Sequence, residues 1–380
     1  MTFPDVARLR GRIVPVWMTR LPRRRAALGL GSSAAPGLGY VLTGVAIGPQ
    51  GLGLLSADVL GNLDAVVAVA LAALGVLVGF GLDDMARRRA GGLLVSATVE
   101  VAISIAVVAG TMLILLPRWE MPLPIDARVF AVLLGLCACA SAALRVDGTA
   151  DDDTRNAARI AELDDLPIIV LGGLTVAAIG GQPGAAVDVL LTLASAVMVA
   201  AAAWLLVGRT RDEAEHGVFV AGAVVLLAGA AAYLGSSPLL AGLVAALVWV
   251  RAPGAAHQRI RDDVRNHQHS FVALLLLLAG ASIQWTVALL WVAAPLLLFR
   301  LTGKLAAGAL TARLAGLPPL LLARALVPPG VVGIALALDL QQVLGSDDTL
   351  LVSGVVVAAV VSEVLATALG LDAAEPQEAA

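Results

Sequence analysis

The sequence predicts an all-α polytopic membrane protein of about 12 transmembrane helices. Three observations predict it. Of 380 residues, 59% are hydrophobic and only 14% charged, against about 25% charged in an ordinary soluble domain. The mean hydropathy is +0.93, a composition that would leave large apolar patches in water but is satisfied in a bilayer. The basic residues also segregate along the chain.

In chain order the apolar runs fall at about 26–48, 62–82, 91–116, 128–146, 156–179, 185–207, 217–234, 237–252, 268–282, 284–312, 320–343 and 349–371. A crossing needs about 20 apolar residues, fewer where a helix is broken. Short charged or Gly/Pro turns separate neighbours, such as Gly180-Gly181-Gln182-Pro183 and Gly235-Ser236-Ser237-Pro238. With the N-terminus in the cytoplasm, the inside segments collect 19 of the 25 basic residues, from Arg8 through Arg87, Arg155, Arg209 and Arg251 to Arg313. The outside holds Arg118 and Arg128; Arg145, Arg300, Lys304 and Arg324 fall within runs. That bias obeys the positive-inside rule.

The domain reading follows: a basic cytoplasmic segment 1–25, a transmembrane domain 26–371 and a short cytoplasmic tail 372–380, with both termini inside the cell membrane. The arginine-rich start lacks a long apolar core and a clean cleavage site, so it does not read as a signal peptide. It suits either a helix on the anionic inner leaflet or a solvated tail. The segment 253–267 reads as a cytoplasmic loop. Cys137 and Cys139 share one apolar run and read as small packing residues. No nucleophile–base set, P-loop or Rossmann fingerprint is present, so no enzyme and no cofactor is expected. Nucleic-acid binding has no support beyond the basic start.

Ionisable side chains within hydrocarbon cost several kcal/mol and point to function. Asp83, Asp188, Arg324 and Asp339 lie near run ends, where snorkelling accounts for them. Glu100 and Glu363 sit deeper, as a proton relay or as partners for an arginine. Asp164-Asp165 lies about ten residues into a long helix from Thr154 to Gly180, near mid-membrane at roughly 1.5 Å per residue. Two adjacent carboxylates cannot both stay ionised cheaply there, so the pair can hold a proton or a small cation by turns. The plainer alternative is a late-starting helix with the pair capping its N-terminus, beside Glu162 and the run Asp151-Asp152-Asp153. Lys304 is the chain's single lysine against 24 arginines, and it lies inside an apolar run. A primary amine has a protonation state that can move, which guanidinium lacks. Lys304 would neutralise one of the two aspartates.

Two runs are interrupted. The fourth holds Cys137-Ala138-Cys139-Ala140-Ser141, and the eleventh holds Pro328-Pro329-Gly330, which must break a helix. Runs 3–5 and 10–12 then read as two inverted repeats with breaks at corresponding places, the pattern that marks a midplane site in secondary transporters. The four histidines, His216, His257, His267 and His269, fall on the predicted cytoplasmic side.

These features resemble the cation:proton antiporter superfamily, in its Kef-type and NhaA-type branches. Gly39 to Gly53 (GYVLTGVAIGPQGLG) is similar to its early helix and Gly-Pro turn. Leu74 to Asp83 resembles the helix that follows, with Asp83 at its acidic position. Glu162 to Ile169 resembles the ion-binding helix, Leu239 to Val248 the small-residue helix, and Leu301 to Leu314 the helix with a Gly-Lys pair. Val327 to Leu336 follows as the second broken helix, and the matches keep their order. The resemblance implies an NhaA-like inverted repeat with two broken crossing helices and a homodimer. It implies Asp165 as the principal carboxylate for the transported metal ion (Na+, Li+ or K+) and for H+, Asp164 as its neighbour and Lys304 as the partner of Asp164. Ser141 would supply a ligand at the first break, with Asp83, Glu100, Arg300, Glu363, Pro328, Pro329 and Gly330 in support. A double aspartate implies about two protons per cation. The first break departs from the family by carrying no acid. Two other readings stay open: a non-transporting homologue acting as sensor or assembly partner, and a symporter of another solute on the same fold, which would have little need of a lysine–aspartate pair.

Overall fold

The computed structural model describes residues 34–86, 91–119, 123, 125–142, 151–180, 185–210, 213–252, 256–345 and 349–369. The basic segment, the acidic tail and Arg145 lie outside them.

The helices are α1 (Ala34–Ile47), α2 (Ala57–Gly61), α3 (Asp64–Ala86), α4 (Gly91–Leu115), α5 (Ala127–Ala138), α6 (Asp152–Leu163), α7 (Asp165–Gly180), α8 (Ala185–Arg209) and α9 (Glu213–Tyr233). They continue with α10 (Pro238–Arg251), α11 (Ala256–Asn266), α12 (Gln268–Ala281), α13 (Val287–Ala315), α14 (Pro319–Leu326), α15 (Val331–Leu344) and α16 (Leu350–Ala368). Among the described residues seven helical stretches are long and apolar enough to cross a membrane and five more are shorter and apolar. Together they match the twelve runs read from the sequence.

The helices form two bundles. One, the panel, joins α1, α3, α8, α9, α10 and α12; the other, the core, joins α4 to α7 and α13 to α16. The panel is held by backbone apposition. Built onto Gly44, a Cβ would meet Leu277 O at 2.1 Å, and on Gly280 it would meet Val41 O at 2.2 Å, so α1 lies directly on α12. The same device recurs where α3 meets α10: a Cβ on Gly75 would meet Leu239 O at 2.1 Å, and one on Gly242 would meet Ala72 O at 2.0 Å. Apolar side chains gain little by leaving lipid, so small residues that admit close dispersion contact drive this association. The two pairings correspond under the repeat that relates the two broken helices, extending it into the panel.

Local sequence sets the irregularities. Ser237 and Pro238 start α10: the hydroxyl accepts from Leu240 N–H, and proline sits where no N–H is needed. Asp151 caps α6 by accepting from Thr154 N–H, and hydrogen bonding from Thr154 holds its carboxyl below the usual range. Segment 253–267 is a loop by composition alone. In the structure α11 occupies most of it, with Ala256, His257, Ile260 and Val264 turned inward on α3, α8 and α9. Two of the four histidines are buried, His216 on α9 and His257 on α11.

Candidate functional site

The two interrupted runs meet at the centre of the core. Past the end of α5 the chain extends through Ser141, and past α14 it extends through Pro329. The two segments pair as an antiparallel bridge, Ser141 opposite Pro329. Ala142 N–H donates to Pro328 O at 2.9 Å, and Gly330 N–H to Ala140 O at 3.1 Å. The close crossing needs glycine: a Cβ on Gly330 would lie 2.7 Å from Ser141 O, and one on Gly333 would lie 2.1 Å from Cys137 O. Ser141 Oγ donates to Leu326 O at 3.0 Å, filling one carbonyl at the end of α14.

Both α5 and α14 end at the crossing, which brings two partially negative helix ends together. Arg300, on α13, answers both. Its Nη1 donates to Val327 O and to Ser362 Oγ, each at 2.7 Å, and its Nη2 donates to Ala140 O at 3.2 Å. One planar guanidinium thus ties both extended segments to α16.

One turn further along α13 is Lys304, 1% exposed. Its Nζ lies 3.0 Å from Asp164 Oδ2 and 3.1 Å from Glu100 Oε1, and Ser104 Oγ donates to Glu100 at 2.7 Å. Glu100 and Asp164 are fully buried. Glu100 therefore pairs with the lysine, where sequence reasoning offered an arginine or a relay. Ser141 N–H points at Asp164 Oδ1 at 3.4 Å, linking this ion-pair cluster to the crossing.

The two aspartates sit in unequal places. Helices α6 and α7 form one rod from Asp152 to Gly180, interrupted at Asp164 and resumed at Asp165. Pro167 accounts for the interruption: it has no N–H to donate to Leu163 O, and its ring crowds that carbonyl. The pair stands about 18 Å from the start of the rod, in its interior and not at its N-terminus. Asp164 turns to Lys304. Asp165 is half-buried, and its Oδ1, closed to solvent, meets no hydrogen-bond donor among the described residues. A buried acceptor left open in this way is an exception in folded proteins, and a proton or a cation would satisfy it.

No family model and no curated protein matches this sequence. Among solved structures the chain is similar to the sodium proton antiporter MjNhaP1 from Methanocaldococcus jannaschii, solved at pH 8, with a TM-score of 0.61 and 16% identity over 87% of this chain and 92% of that one. The chain shares the fold of that antiporter.

Within the antiporter fold the remaining residues singled out in the sequence divide. Glu363 is half-buried on α16, next to Ser362, and borders a small cavity with Pro329 and Gly330. Asp83 lies on α3, but its side chain is outside the described part. Arg324 is exposed, and Asp188 is half-buried in the first turn of α8. Asp339 does not snorkel. It is 1% exposed, in the interior of α15, and Ser237 Oγ donates to its carboxylate. Nearness to the end of an apolar run says nothing of which helix packs on that face.

Proposed function

We propose that the protein is a secondary active transporter that exchanges a monovalent cation, Na+, Li+ or K+, for protons across the membrane. The observation that carries this reading is the inequality of the adjacent carboxylates. Asp164 has a counter-ion in Lys304, whereas Asp165 Oδ1 has no hydrogen-bond partner among the described residues. Asp165 holds a proton in one half of the cycle and the cation, as cargo, in the other. Asp164 either remains paired or takes a second proton as Lys304 turns to Glu100, which gives about two protons per cation. The core bundle moves against the panel around the site, the usual route to alternating access. The fold likeness supports this reading, and the resemblance adds a homodimer. The segregation of basic residues supports the cytoplasmic membrane with both termini inside. The protein is a transporter without resident cofactor or covalent catalysis.

A second reading, a homologue that does not transport, draws on Ser141. Its hydroxyl is committed to Leu326 O, and the break beside it carries no acid.

The test is proton flux in proteoliposomes under an imposed pH gradient, with sodium, lithium or potassium added. Wild type is expected to move protons on cation addition, Asp165→Asn to be silent, and Lys304→Ala to be impaired. Equal flux in wild type and Asp165→Asn overturns the exchange mechanism. Absence of flux with every cation in folded protein favours the second reading.

A further inference from the structure

A second buried acid lies on the seam between the bundles. Asp339 is eight residues into α15, about 12 Å from the crossing along the helix axis. Its partner Ser237 caps α10, so their hydrogen bond joins core to panel. Ser237 Oγ already accepts from Leu240 N–H at 3.1 Å, which leaves its own proton for Asp339. Among the described residues no lysine, arginine or histidine pairs with Asp339.

The titratable groups on the elements packed against α15 are few. They are Arg128 and Cys137 on α5, Asp165 on α7, Asp64 on α3 (with Asp83 and Asp84, whose side chains lie outside the described part), Arg251 on α10, His269 on α12 and Glu363 on α16. Cys137, a buried neutral thiol, is the one near enough to feel the carboxyl. Asp64 stands at the start of α3, where Gln342 Nε2 donates to its carbonyl at 2.9 Å. Arg128 and Arg251 carry positive charge, but both side chains are exposed and neither pairs with Asp339. A lone carboxylate with one hydroxyl partner and no cation cannot stay ionised in such an interior.

A vestibule of about 740 Å³ opens along the same seam; Asp339 does not line it, but Leu338, its neighbour on α15, does. Leu338, Gln341 and Gln342 of α15 form one wall, and Asp58, Asp64 and Gln284 stand across from them. By the distribution of basic residues this is the outer face.

On the exchange reading above, we propose that Asp339 is a second proton-binding site, one whose proton gates the seam on the outer half of the transport path. Docked on Ser237 it is a neutral carboxylic acid. When α15 moves off α10, its O–H bond breaks, the proton passes to vestibule water, and a carboxylate remains. The reverse step, uptake of one proton from the same water, lets the seam close again. The site takes no metal ion and needs no other reactant.

Infrared pH-difference spectra of the purified protein read this proton without transport. Wild type at neutral pH is expected to show a protonated-carboxyl carbonyl band that Asp339→Asn loses and Asp165→Asn retains. Asn keeps the side-chain shape and can still accept from Ser237. Ser237→Ala should move the band to higher frequency, because the hydrogen bond to the acid is gone. Identical bands in wild type and Asp339→Asn overturn the proposal. So does an unmoved band in Ser237→Ala. In proteoliposomes the proton that returns from the same water leaves the ratio of protons to cations unchanged; Asp339→Asn should instead weaken the dependence of flux on outer pH, and an unchanged outer-pH dependence removes the gating role. If no cation drives flux in wild type, the exchange reading fails by itself, while loss of the band in Asp339→Asn still assigns the buried proton to this residue.

Discussion

Lys304 Nζ stands 3.0 Å from Asp164 Oδ2, with Glu100 on its other side, in a pocket closed to solvent. The triad carries one positive and up to two negative charges. Removing the lysine should cost more than its contacts alone suggest, because two buried acids lose their counter-ion. We expect Lys304→Gln to lower stability by about 3–5 kcal/mol, read as unfolding in detergent. Adding Glu100→Gln to that variant should recover part of the loss. A double variant no more stable than the single would remove the triad as the source.

Arg300 meets three acceptors, Val327 O, Ser362 Oγ and Ala140 O. Arg300→Lys keeps the charge but loses the fork, so at least one charge-assisted bond goes, worth about 1.5–3 kcal/mol. Ser362→Ala removes one neutral partner and should cost about 1 kcal/mol. A reversed order in thermal shift would contradict the anchoring role given to the guanidinium.

The crossing depends on missing side chains. Gly333→Ala places a methyl 2.1 Å from Cys137 O and should abolish transport even where some protein still folds. Gly110→Ala on α4 meets nothing within 4 Å and is the matched control, expected to leave both fold and flux intact. Equal behaviour of the two variants in folding yield and flux would count against the packing described.

In the panel, Gly44→Leu and Gly242→Leu each force an isobutyl group into a backbone contact. Each should reduce the yield of monodisperse protein, although leucine favours both lipid and helix more than glycine does. Normal yield from either would show that these contacts can relax.

The crossings, both interruptions and the mid-rod place of Asp164-Asp165 were legible from hydropathy, proline and charge, which act locally. Lys304 stood out because it is the chain's one lysine. The partners were not legible. Which acid meets Lys304, and whether Asp339 reaches a headgroup or a serine, depend on which helices cross, and a linear pattern is silent on that. Pro167 was a readable sign that the rod is interrupted beside the acids. Helix α11 was missed because its polar composition resembles a loop, although its four inward residues recur at helical spacing.

The glycine-backed pairs of α1 with α12 and α3 with α10 bear on heredity as well as on mechanics. Where two main chains touch, shape is fixed by hydrogen atoms at four positions, while the surrounding lipid-facing leucines and valines can be exchanged among apolar residues at little energetic cost. A lineage can therefore rewrite most of its letters and keep its architecture, which is consistent with a spatial match over 87% of the chain at 16% identity.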